Sequence, residues 1–109
     1  MLVDQQKIYQ DLKDLYSSFS DEMYSLLATD SYSRIRRAIG LVMQKFENND
    51  HPLAYTGKLV MYIQAKVALN NLRLTSQQEQ LIKSLTESTK RIHLSYVYLS
   101  PIDSSEQFV

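Results

Sequence analysis

His51 and His93 are the only imidazoles in a chain that has no cysteine, so any metal site would need both of them or a carboxylate cluster. Metal-binding helical bundles use steps such as Glu-x-x-His or His-Glu-x-x-His, because three- and four-residue spacings set ligands on one helix face. Neither pattern occurs. His51 stands four residues after Glu47, but Asn48, Asn49, Asp50 and Pro52 make that stretch a turn. His51 is therefore expected at a helix start, and His93 near a helix C-terminus, where its proton suits the negative end of the dipole. Without cysteine, disulfides and thiolate-held zinc or iron–sulfur centres are excluded, which fits a reducing compartment. No metal is expected.

Nucleophilic catalysis needs a base beside the nucleophile and a group that orients the base. The serines stand in no Gly-x-Ser-x-Gly setting, and the two glycines, Gly40 and Gly57, cannot build a phosphate-cradling loop. Asp11 and Asp14 cluster on an amphipathic segment, where a solvated face accounts for them. The reading is a protein that is not an enzyme and carries no cofactor.

Arg34, Arg36 and Arg37 form the densest basic cluster. Arg34 and Arg37 share a helix face at i, i+3, while Arg36 points elsewhere. Gln77, Gln78, Gln80, Lys83, Lys90 and Arg91 give a second polar-basic face, of the kind a DNA-reading helix presents. A small helical DNA-binding regulator is thus the alternative reading, against which stands a formal net charge of +0. That sum hides an acidic first segment (Asp4, Asp11, Asp14, Asp21, Glu22, Asp30) and a basic stretch from 31 to 91, as when an acidic helix packs beside basic ones. Eight tyrosines are many for 109 residues. An apolar body with a polar tip suits core boundaries and interfaces. Tyr9, Tyr16, Tyr24, Tyr32, Tyr55 and Tyr62 read as boundary residues, and Tyr96 and Tyr98 as tail residues that dock or meet a partner.

The elements that must position these groups are helices; two glycines and two prolines leave few turns for an all-β fold. Ile8, Leu12, Leu15, Phe19, Met23, Leu26 and Leu27 recur at steps of three and four, predicting one helix over 4–27, with a bend near Ser17–Ser20. Ile35, Ile39, Val42 and Phe46 predict a second over 31–47, in which Gly40 suggests a close helix–helix contact. Asn48 to Pro52 is the clearest break, and Pro52 suits a first turn. Leu53, Leu59, Val60, Ile63 and Val67 give a third helix over 52–70. Thr75 and Gln78 form a capping box at the head of a fourth, 76–92, striped by Leu81, Ile82, Leu85 and Ile92. Four amphipathic helices with short links predict one all-α domain over 1–109, an antiparallel up-down four-helix bundle with an extended tail over 93–109. No signal peptide and no apolar run near the ~20 residues of a membrane span is visible, so a cytoplasmic, monomeric protein is expected.

The C-terminal half carries a resemblance. Leu59-Val60-Met61-Tyr62-Ile63, then Leu72-Arg73-Leu74-Thr75-Ser76-Gln77-Gln78-Glu79-Gln80-Leu81-Ile82-Lys83-Ser84-Leu85, with Pro52-Leu53 before and Gln107-Phe108 after, resembles the immunity proteins of class IIa (pediocin-like) bacteriocins, the enterocin A immunity type. The likeness is good over about 52–108, looser over Tyr32 to Phe46, and in helix 1 only a likeness of character. It implies a cytosolic four-helix bundle that protects a cell from a pore-forming peptide. The implied partners are the membrane components of the mannose phosphotransferase system with bacteriocin bound, and the implied action is to lock that complex and block the pore. It also places recognition in the helix 3–helix 4 hairpin and tail, here about 52–109. Within that segment the recognition residues expected from charge and exposure are Arg73, Lys83, Lys90, Arg91, Tyr96, Tyr98 and Phe108. A net-basic hairpin (Lys58, Lys66, Arg73, Lys83, Lys90 and Arg91 against Glu79 and Glu87) suits the inner face of a membrane. Residues 101–109, opened by Pro101, are expected to be loose, with Phe108 free to anchor on a partner and little role in folding.

Overall fold

The computed structural model describes residues 5–19, 29–90 and 108, with residues 29 and 30 described in their backbone only. The described residues form four helices and no strand: α1 (Gln5–Ser18), α2 (Thr29–Glu47), α3 (Pro52–Asn70) and α4 (Ser76–Thr89).

The chain has little glycine, and other residues end its helices. After α2, the Asp50 N–H bonds the Lys45 carbonyl at 2.9 Å, and Asn49 takes the left-handed conformation with φ 50°. After α3, the Leu72 N–H bonds the Val67 carbonyl at 3.0 Å, and Asn71 is left-handed with φ 51°. These are the closing bonds of a helix stop that usually takes glycine; asparagine is the L-residue that tolerates it best. His51, just before Pro52, is also left-handed, and its Nδ1 lies 3.2 Å from the Asp50 carboxylate. The bond to His51, followed by the one from Lys45, holds the Asp50 carboxyl below the usual carboxylate range. At α4 both halves of the capping box are made: the Gln78 N–H donates to Thr75 Oγ1 (3.1 Å), and the Thr75 N–H to Gln78 Oε1 (2.9 Å).

α1 ends short of the expected reach to residue 27. The Ser18 hydroxyl donates to the Leu15 carbonyl at 2.6 Å, and the Phe19 N–H closes a tighter turn on Tyr16 at 3.3 Å. A serine that bonds the preceding turn competes with the helix ladder, and two serines in succession weaken it further. Phe19 lies outside the helix, its ring buried. Residues 20–28, where the rest of the expected helix falls, and 91–92, the expected end of helix 4, lie outside the described residues.

Each helix packs on two neighbours in the cyclic order α1, α2, α3, α4. Cross-helix contacts pair falling residue numbers with rising ones. On α1 and α4, the Ser84 hydroxyl donates to Asp11 (2.8 Å) and Gln78 Nε2 to the Ser18 carbonyl (3.2 Å). Between α1 and α2, the Tyr9 and Phe46 rings meet edge-on at 5.7 Å, while Arg36 lies over Tyr16 at 4.4 Å. The core runs through Ile8, Leu12 and Leu15 of α1, Ile35, Ile39 and Val42 of α2, Leu59 and Ile63 of α3, and Ile82 and Leu85 of α4. Gly40 answers to a close approach: a Cβ there would stand 3.2 Å from Tyr16 Cε2.

α3 is the most enclosed element. Thr56, Gly57, Lys58, Leu59 and Val60 are all buried, and five successive residues point all the way round a helix. Two neighbouring helices cannot cover a helix on every side. Part of the remaining cover is Phe108, fully buried, its ring edge-on to Tyr62 at 5.4 Å. The expectation of a loose, dispensable Phe108 is therefore wrong: this side chain belongs to the core. Lys58, counted above as part of the basic hairpin surface, is fully buried as well, and burial pushes its ammonium below the usual lysine range.

Candidate partner-recognition surface

The α3–α4 hairpin is built around a rigid connector. Asn71 turns the chain out of α3, Thr75 starts α4, and between them one tyrosine hydroxyl from α2 holds the backbone. Tyr32 Oη donates to the Arg73 carbonyl (2.9 Å) and accepts from the Arg73 N–H (3.0 Å). Both polar backbone groups of Arg73 are thereby satisfied by a side chain that is itself buried. The Arg73 residue is exposed, so its guanidinium is offered from a fixed base.

Between α3 and α4 runs a groove of about 240 Å³, walled by Ile63, Val67, Ala68, Leu74 and Ile82, with Gln64 and Glu79 at its polar rim. On the same last turns of α3, Leu69 is 69% exposed, the one large apolar side chain so open among the described residues. Lys66 sits near, its ammonium 5.8 Å from the centre of the Tyr62 ring. Leu69 stands on the other side of α3 from the groove walls, since 100° per residue sets it about half a turn from Ile63, Gln64, Val67 and Ala68. The apolar groove by itself has the make-up of a protein-binding surface, with apolar area for burial and a polar rim. Sequence reasoning missed the groove, because Ile63 and Val67 read as ordinary members of the helix 3 stripe. A usable signal was the unbroken apolar character of α3, which leaves apolar side chains on faces the bundle does not cover.

The expected recognition residues that the structure describes, Arg73, Lys83, Lys90 and Phe108, do not form one cluster. Arg73 and Lys90 bracket α4 and are separated by its length, about 20 Å. Lys83 is exposed on the α1 side of α4, in a shallow depression with Lys7, Gln80 and Glu87, away from the apolar groove. Lys90 is exposed but spoken for: its ammonium lies 3.0 Å from the Glu87 carboxylate. That hydrogen bond and charge, with Lys83 more distant, hold the Glu87 carboxyl below its usual range. Phe108 is in the core. Arg91, Tyr96 and Tyr98 lie outside the described residues. Thr75 and Gln78 form the cap as expected, and Gln78 does more than expected by also reaching Ser18 of α1.

Among the described residues there is no cluster of three metal-ligating side chains, and no helix is long and apolar enough to cross a membrane. A model of the bacteriocin immunity protein family, the enterocin A type, matches residues 3–90. The match takes in α1, where the sequence likeness is weakest, and stops short of Gln107-Phe108, which the likeness includes. No curated protein and no solved structure matches the chain.

Proposed function

The chain belongs to the bacteriocin immunity protein family, and from that premise we propose that it protects a cell against a pediocin-like pore-forming peptide by binding, from the cytosol, the mannose phosphotransferase membrane receptor that the peptide has engaged. The action is by association and not by catalysis: the complex is held closed and the pore blocked. The observation that carries this reading is the family match, which spans all four helices. The α3–α4 hairpin supports it with a surface fit for a protein partner, the apolar groove walled by Ile63, Val67, Leu74 and Ile82.

Expression in a bacteriocin-sensitive strain, followed by challenge with a panel of pediocin-like peptides, tests the function. Protection against one or a few of them is expected; growth inhibition unchanged across the panel would overturn it. Sedimentation with receptor-bearing membranes tests the mechanism. The protein is expected in the pellet only when bacteriocin is present, and binding that ignores bacteriocin would count against the proposed complex. DNA affinity falling steeply with salt would favour the regulator instead.

A further inference from the structure

On the side of the bundle opposite the α3–α4 hairpin, α1 and α2 enclose a groove of about 370 Å³ lined by Tyr16, Ser33, Arg36, Arg37, Gly40 and Gln44. We propose that this groove is a second binding site, which takes an acidic peptide segment of a protein partner through its carboxylates.

The groove exists because of Gly40. Any larger residue would put a Cβ 3.2 Å from the Tyr16 ring, tighter than ordinary contact, and fill the floor. One turn earlier on α2, the Arg36 guanidinium lies over the same ring, 4.4 Å from its centre. A guanidinium stacked on an aromatic face keeps its in-plane donors available, since the ring takes only its face. Arg36 Nε is shut off from solvent, so the donors it can offer a ligand are the terminal nitrogens of the guanidinium. No carboxylate among the described residues lies within ion-pair distance of Arg36 or Arg37. Two guanidiniums, a serine hydroxyl and a glutamine amide thus converge on one groove with no anion from the described residues.

The anion that fits is a carboxylate. Phosphate sites on helices draw on free N–H groups at a helix N-terminus. This groove lies along the body of α2, where N–H groups are used in the helix ladder, so the only donors are side chains. Its length along two helices and its apolar wall, Tyr16 and Leu41, suit an extended segment that alternates acidic and apolar side chains. A guanidinium fork matches a planar carboxylate with paired hydrogen bonds. The formal net charge of +0 supplies no general field for a polyanion or an anionic membrane.

The test is a titration of the full-length, isotope-labelled protein, followed by amide and arginine Nε–H resonances. The probe is a short peptide alternating glutamate and leucine; comparison arms use inorganic phosphate and phosphatidylglycerol vesicles. Shifts at Ser33, Arg36, Arg37 and Gly40 are expected with the peptide, weakening as salt is raised. The double variant R36Q/R37Q is expected to lose at least about tenfold in affinity, the scale of charge-assisted hydrogen bonds. If R36Q lowers the melting temperature, R37Q alone, at an exposed position, carries the same expectation. Absence of shifts, or shifts that survive in the variants, would overturn the site. A stronger response to phosphate or to the vesicles would overturn the peptide assignment. The assay contains no bacteriocin and no receptor, so its outcome is independent of the immunity reading.

Discussion

At the scale of single residues, the joints of this bundle rest on side chains that serve two elements at once. Gln78 accepts from the Thr75 N–H to cap α4, and its amide nitrogen lies 3.2 Å from both the carbonyl and the hydroxyl of Ser18 on α1. Gln78→Glu separates the two roles. A carboxylate can still cap the helix, and its charge at the N-terminus adds about 0.3–1 kcal/mol. It cannot donate to Ser18, and a buried group left without its donor costs about 1–3 kcal/mol. The loss is the larger figure, so urea denaturation should find the variant less stable; equal midpoints would mean that the tie to α1 contributes nothing. Lys58 acts through pH. Burial makes its ammonium release a proton more readily in the folded chain than in the unfolded one. Between that lowered value and the ordinary 10.5, the unfolded chain binds more protons, so stability contributed by this group rises with pH in that window. Lys58→Met removes the titration. Melting temperatures measured from neutral pH to 10.5 should show wild type gaining on the variant as pH rises; a constant gap would assign Lys58 an ordinary pKa.

At the scale of elements, helix ends were legible wherever chemistry marks them. Asn-Asn-Asp-His-Pro and Asn70-Asn71 bound α3 at Pro52 and Asn70, as expected, because left-handed asparagines and a first-turn proline are local devices. The Thr75–Gln78 box is likewise local and was read correctly. The end of α1 was legible only in part: the serines marked a bend near Ser17–Ser20, where the helix stops at Ser18, but the apolar phase through Phe19 to Leu27 says which side faces the core and not whether the helix breaks there. The core face of α3 was legible in Leu59 and Ile63, both fully buried. Ile63→Ala should therefore cost about 2–5 kcal/mol in chemical denaturation, and a loss below about 0.5 kcal/mol would put that face outside the core. The recognition surface was far less legible. Charge and aromatic content name exposed residues well enough, as at Arg73 and Lys83, but which of them share a face depends on how α4 is turned against α1 and α3.

At the scale of the whole molecule, four helices do not complete this protein. Phe108 closes over Tyr62 from beyond the last described helix. A lone aromatic among polar residues has no periodicity, so nothing in the sequence pattern marked it as core. Phe108→Ala should cost about 3–5 kcal/mol, close to what well-packed phenylalanines lose elsewhere. Calorimetry would show a melting temperature lowered by well over ten degrees for a domain of this size, and an unchanged melt would return Phe108 to the role of a free anchor. Removing residues 101–109 should destabilise for the same reason, so lost protection in such a truncation would report on folding before it reported on recognition.

The position of that ring also sets an order of events during synthesis. The ribosome delivers the chain from the N-terminus at about 5–20 residues per second. All four helices are therefore available, with the Tyr62 ring still without its edge-on partner Phe108, before position 108 emerges. Only then can the contact between Phe108 and Tyr62 form. A chain cut before position 108 keeps its helices but lacks this part of the interior, and a product so destabilised is exposed to cellular proteases. The ring at 108 thus ties the stability of the core to a residue made after all four helices.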